Sequence, residues 1–211
     1  MCSCNLTQSL ADIQYNLSKK IIEKDCFKKI QTVAGTDISF EKDNFAVAAA
    51  VVINLDNLEV LEEKTTEVKL LFPYISGFLG FREADAMISI LKKLKTNFDV
   101  LMVNGHGIMH PRGFGLASHV GVLMDQPTLG VAKRLIGINY KYRESNSLKT
   151  IEFMNKPVGA CDKQKCISIG HKISLETAIS IAVKTSMFKM PEPVRQAHIL
   201  ATNEMKFKFS G

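Results

Sequence analysis

Asp37, Glu83 and Asn104 stand on three separate segments, each bordered by apolar residues that a fold could bring to one place. Asp37 interrupts the apolar run Val33-Ala34-Gly35-Thr36-Asp37-Ile38-Ser39-Phe40. A carboxylate there needs a partner, because burying an unpaired charge is costly. A divalent cation meets that need, and so does a structural hydrogen-bond or Lys/Arg partner. Glu83 opens a helical pattern, where the helix dipole alone favours a carboxylate. Asn104 closes a short apolar run, at a place where a third carboxylate is expected. Its carbonyl oxygen can ligate weakly but brings no charge. The chemistry suited to such a cluster is phosphodiester cleavage, in which a metal neutralises phosphate and activates water. Magnesium fits, because it takes a few carboxylate oxygens and fills its other positions with water and phosphate.

Two glycine-rich segments accompany these groups, Phe72 to Glu83 and Asn104 to Leu116. Backbone so rich in glycine can approach a planar or anionic ligand closely. Tyr74 follows Pro73 beside Gly77 and Gly80, which suits either a core tyrosine or a wedge entering a base stack. His106, His110 and His119 raise zinc, but Gly105, Gly107 and Pro111 oppose the shared helical face that zinc would need. His110, beside Arg112, suits proton relay or hydrogen bonding to phosphate, and equally a structural loop. Gly113-Phe114-Gly115-Leu116 leads into a helix whose first amides favour anions, without the spacing of a dinucleotide fingerprint.

The elements that must position these residues follow from periodicity. Ser9 to Lys29 reads as an amphipathic helix with Leu10, Ile13, Leu17, Ile21 and Ile22 on its apolar face. Thr32–Phe40, Ala46–Leu55 and Leu58–Thr66 read as strands of an antiparallel meander, the last two joined at Asp56-Asn57. Helix is expected over Arg82–Leu94, Phe114–Met124 and Ser174–Lys184, and strand over Asp99–Val103, Thr128–Ala132 and Cys166–Ile169. Residues 138 to 166 suggest only short strands and polar turns. After Met190, Pro191-Glu192-Pro193 is expected to leave helix, with the last residues loosely held. A meander followed by alternating helix and strand predicts an α/β fold: an RNase H-like mixed sheet with flanking helices, one domain over 1–211.

The chain has 211 residues, 27 basic and 21 acidic side chains, a net charge of +6 and a pI near 9.0. That balance favours a polyanionic partner, since neutralising phosphates releases counterions. No apolar run reaches the length of a spanning helix, and the first residues lack a secretory pattern. A cytoplasmic monomer with no membrane partner is the expectation. The odd count of five cysteines argues against a disulfide framework, so Cys2, Cys4, Cys26, Cys161 and Cys166 are expected as reduced thiols.

Taken together, the motifs resemble the endonuclease V family from about Val33 to His198. The resemblance rests on Ala34-Gly35-Thr36-Asp37-Ile38-Ser39-Phe40, Phe72-Pro73-Tyr74-Ile75, Phe81-Arg82-Glu83 and His110-Pro111-Arg112 through Gly121. Further along the chain it rests on Pro127 to Lys133, Gly170-His171 and Pro191 to His198. It implies that Asp37, Glu83 and Asn104 hold a magnesium ion, for which manganese can substitute. It also implies that Lys133 and His198 lie near the scissile phosphate, that His110 is close to the catalytic centre, and that Tyr74 separates the strands. Gly77, Leu79, Gly105, Gly115 and Leu116 would line a pocket for hypoxanthine. The implied reaction is hydrolysis of the second phosphodiester 3′ to a deaminated purine in DNA. Inosine-containing RNA, or lesion binding with little cleavage, are the alternatives. The chain departs from the pattern at Ser76, where a proline is expected, and at Asn104, which replaces a carboxylate.

Overall fold

In the computed structural model, residues 3–40, 45–136, 140–143 and 148–209 are described. Strands β1 (Thr32–Phe40), β2 (Phe45–Asn54) and β3 (Val60–Lys69) form the expected antiparallel meander. β4 (Val100–Asn104) and β5 (Thr128–Ala132) add in parallel, then β6 (Lys141–Arg143), β7 (Lys149–Phe153), β8 (Lys156–Cys161) and β9 (Cys166–His171) add antiparallel. Among the described residues they make one mixed sheet in the order β3-β2-β1-β4-β5-β9-β8-β7-β6.

Strand alternation divides the core between the two faces of this sheet. Val33, Val51, Ile53, Val100, Met102 and Leu129 point to the face covered by α4 (Leu175–Lys184) and α5 (Glu192–Phe209). Ala34, Ala48, Ala50, Val52, Leu101 and Val103 point to the face covered by α2 (Leu79–Leu91) and α3 (Leu116–Met124). Gly35 lets α5 approach closely: a Cβ there would lie 2.1 Å from the carbonyl carbon of Pro193.

Three expectations are corrected. The first helix, α1, spans Ser3–Ser18 and stops well short of Lys29. Beyond it the backbone bonds elsewhere: Lys172 N donates to Ile22 O (2.6 Å), and Asp25 accepts from Ser174 N (2.7 Å) at the start of α4. Its inward face carries Leu10 and Gln14, whereas Ile13 is exposed. At the other end, Pro191-Glu192-Pro193 starts α5 rather than leaving helix, and Lys206–Phe209 belong to it. A proline in the first turn loses nothing by lacking an N–H, and Glu192 there accepts from Arg195 and Gln196. Ser210 and Gly211 lie outside the described residues. Lastly, Cys161 and Cys166 face each other across β8 and β9 and form a disulfide, while Cys26 is free. Met1, Cys2 and the side chain of Cys4 lie outside the described residues.

Candidate functional site

Asp37 is only 5% exposed and receives two partners from elements packed beside β1. The parallel register sets Thr36 against Val103, so the next residue of β4, Asn104, comes alongside Asp37. Asn104 Nδ2 donates to Asp37 Oδ1 at 2.9 Å. His198, on the second turn of α5, places Nδ1 2.6 Å from Asp37 Oδ2. The hydrogen bond from Asp37 raises the His198 pKa above the usual histidine value, against partial burial and the nearby Lys133 ammonium.

Glu83 enters from α2, on the opposite face, and is 6% exposed. Burial, and then the negative charge of Asp37, push its carboxyl up to about 7, with Arg82 opposing. Two carboxylates thus lie close enough to repel in a setting that hydrates neither well. A divalent cation between them would relieve that conflict, so the residues fit one. Among the described residues, no trio of His, Cys, Asp and Glu could hold a metal ion. The third ligand would have to be the Asn104 Oδ1, since the Nδ2 is already committed to Asp37. Such a donor set, poor in charge, suits an ion that keeps part of its water shell.

A cavity of about 390 Å³ adjoins this cluster, with Asn104 and Lys133 in its wall. Tyr74, Gly77, Leu79, Gly105, Gly115, Leu116 and His110 all line it. Tyr74 is 69% exposed, which excludes the core-tyrosine reading. A larger cavity of about 550 Å³, between the end of β3 and α2, contains none of Asp37, Glu83 or Asn104. Size therefore does not mark the site; convergent polar groups do.

The cavity's loop is held by residues that motif reading did not single out. Gly77 takes φ +79, a conformation that favours glycine, and turns its carbonyl toward two donors. These are Gln14 Nε2 at 3.1 Å and Arg112 Nη2 at 2.5 Å. Gln14 also donates to Phe114 O (3.0 Å) and accepts from Arg112 Nε (2.5 Å), while the Arg112 guanidinium lies 4.2 Å from the Phe78 ring centroid. One buried glutamine on α1 thereby ties both glycine-rich segments together. The signal for it was a lone amide between Leu10 and Leu17 on the inward face.

His110 sits in the cavity wall and is not among the partners of Asp37. Its Nδ1 accepts from Arg112 N at 3.3 Å, and the ring bonds the Gly77 backbone. Burial, with the charges of Arg112 and His106, pushes it down to about 4, so it is neutral near pH 7. His119 lies behind the cavity, edge-on to Phe81 with ring centroids 5.1 Å apart, and burial likewise lowers it to about 4. A shared zinc site among the three histidines has no support in this arrangement.

The sequence profile of Endonuclease V matches residues 15–199. Endonuclease V of Dictyoglomus thermophilum is 40% identical over 208 residues, covering 94% of this chain and 91% of that protein. The Rippkaea orientalis protein of the same name is 38% identical over 203 residues, covering 91% and 88%. Among solved structures, the catalytic domain of human Endonuclease V superposes with a TM-score of 0.89 at 29% identity, covering 98% of each chain. Ciona intestinalis Endonuclease V, in complex with a 24mer DNA containing an inosine followed by a ribo-adenosine, gives 0.86 at 29%, covering 97% and 99%. The sheet order and flanking helices are thus those of an RNase H-like fold. By sequence and by fold, the chain belongs to the endonuclease V family.

Proposed function

We propose that the protein is a magnesium-dependent endonuclease that recognises hypoxanthine in DNA and hydrolyses the second phosphodiester bond 3′ to it. The observation that carries this reading is that Asn104 and Lys133 belong to the wall of a base-sized cavity while Asn104 also bonds Asp37. Recognition and hydrolysis thereby share a boundary. Tyr74, exposed at the mouth, fills the gap left in the stack when the base swings out. Gly77, Leu79, Gly105, Gly115 and Leu116 hold the base, and His110 keeps the Gly77 loop in place. Asp37, Glu83 and Asn104 would hold the ion, with manganese able to replace magnesium. When bound, that ion supplies positive charge against the phosphate and makes water a better nucleophile. His198, kept cationic by Asp37, and exposed Lys133 orient the phosphate from the other side.

The test is cleavage of matched duplexes with and without hypoxanthine, in magnesium and in EDTA, with the products mapped. A nick one nucleotide beyond the lesion's own 3′ neighbour, seen only with hypoxanthine and metal, is expected. Equal cutting of both duplexes would overturn the proposal.

Two observations favour variants of this reading. The Ciona complex carries a ribonucleotide after the inosine, which favours inosine-containing RNA as a substrate here. Oligonucleotides differing only in ribose or deoxyribose at the cleavage position decide between them. Asn104 favours a form that binds the lesion with little cleavage. Tight binding without nicking at raised magnesium or manganese would support that form.

A further inference from the structure

Lys133, Arg134 and Leu135 line the base cavity on one side and a second cavity, about 480 Å³, on the other. The second lies farther along the same margin of the sheet. Ala132 of β5 pairs with Cys166 of β9, Cys166 with Cys161 of β8, and Cys161 with Lys149 of β7. The ends of four neighbouring strands thus form one continuous shelf leading away from Asp37. Four cationic side chains line it, Lys133, Arg134, Lys149 and Lys163, all exposed, with Tyr142 beside them. Asp162 is the carboxylate in its wall, and it is already engaged. Its Oδ1 accepts from Gln164 N (2.6 Å) and Lys165 N (2.7 Å), and its Oδ2 from Lys165 Nζ (3.1 Å). The Cys161–Cys166 disulfide closes the base of the shelf, where those two strands meet.

We infer that this shelf is a subsite for the sugar–phosphate backbone of the cleaved strand, on the 3′ side of the scissile bond. The inference rests on the proposed function, which puts the base in the first cavity and the scissile phosphate at Lys133. A strand running from that cavity past Lys133 enters the second. Concentrated positive charge with an exposed aromatic side chain matches phosphates and bases, and the absence of a free carboxylate among the lining residues removes the main source of repulsion. From β5 to β7 there are three interstrand steps, roughly 14 Å at about 4.8 Å each. At about 3.4 Å per nucleotide along one strand, that length accommodates roughly four nucleotides. Contacts to phosphate carry no base identity, so the shelf should raise affinity without choosing sequence.

The test uses labelled single strands of equal length in EDTA, followed by fluorescence anisotropy. One strand carries about ten nucleotides 3′ of the hypoxanthine and the other about two, with the balance moved to the 5′ side so that total charge is matched. The full-length protein should bind the long 3′ flank about tenfold more tightly, with a salt slope steeper by about 3. In Lys149→Ala/Lys163→Ala that extra slope should shrink by about 2, near 0.9 for each lost phosphate contact. Equal affinity and slope for the two strands would overturn the inference, and this comparison needs no variant to fold. A flank effect left whole in the double variant would overturn it too. A full flank effect on strands with adenine in place of hypoxanthine, bound equally well, would sustain the shelf while removing the lesion-specific function.

Discussion

Replacing Glu83 by glutamine should change how stability depends on pH, by an amount that the site's geometry sets. In the folded chain, burial and Asp37 hold this carboxyl at about 7, against an ordinary glutamate value of 4.5. Below pH 4.5 the group is protonated in both folded and unfolded chains, and its burial carries no charge penalty. Between 4.5 and about 7 the unfolded chain ionises first, so the folded state holds the extra proton and stability falls as pH rises. The whole gap corresponds to about 3 kcal/mol, at ~1.4 kcal/mol per pH unit. Roughly 2.5 kcal/mol of it falls between about pH 5 and pH 8. Urea unfolding in EDTA, at those two values, should show Glu83→Gln gaining that much on the unaltered protein as pH rises. Other titrating groups cancel in the difference. A constant difference would refute the argument that Glu83 is a buried carboxylate facing Asp37. Magnesium should reduce the decline in the unaltered protein, because a bound cation stabilises the ionised pair. A decline that magnesium leaves unchanged would show that these carboxylates do not hold the ion.

Asn104→Asp should lower stability in EDTA by about 1–3 kcal/mol, since it replaces a donor to Asp37 with a like charge. It should also steepen the rise in Tm with added magnesium, as thermal unfolding across a magnesium series would show. Gln14→Ala removes the bonds to Gly77 O, Phe114 O and Arg112 and should cost about 2–3 kcal/mol in urea unfolding, with lesion preference weakened as well. Tyr74→Ala should chiefly reduce discrimination between hypoxanthine and undamaged strands, and Lys133→Ala should chiefly slow cleavage at saturating substrate. Gly35→Ala should destabilise by about 2 kcal/mol or more, because the new Cβ meets Pro193 backbone, and should separate His198 from Asp37.

The sheet was the most legible part of the sequence, because its strands bury both faces or alternate cleanly. β1 has the expected bounds, Thr32 to Phe40, and the alternation that puts Asp37 with Val33 and Gly35 holds in three dimensions. β6 was not legible, since Lys141, Tyr142 and Arg143 are all exposed and leave no alternation to read. The first helix was overextended because residues 21–30 carry apolar side chains at helical spacing, yet their backbone pairs with the segment after β9. Such long-range pairing leaves no local signal. The disulfide was missed for the same kind of reason: cysteine count speaks to frameworks, whereas Cys161 and Cys166 meet only because β8 and β9 fold back in register. Asp37, Glu83 and Asn104 stood out by type and context. Gln14 did not, because its importance lies in carbonyls contributed by distant loops.

Because α5 follows every strand in the chain and carries His198, the order of synthesis matters. A nascent polypeptide that has emerged only as far as β9 already possesses both carboxylates and the cavity loops, but nothing yet covers Gly35 or meets the second oxygen of Asp37. Ribosome-bound chains of that length would therefore be inert toward surrounding nucleic acid. Competence would arrive only when the final helix docks.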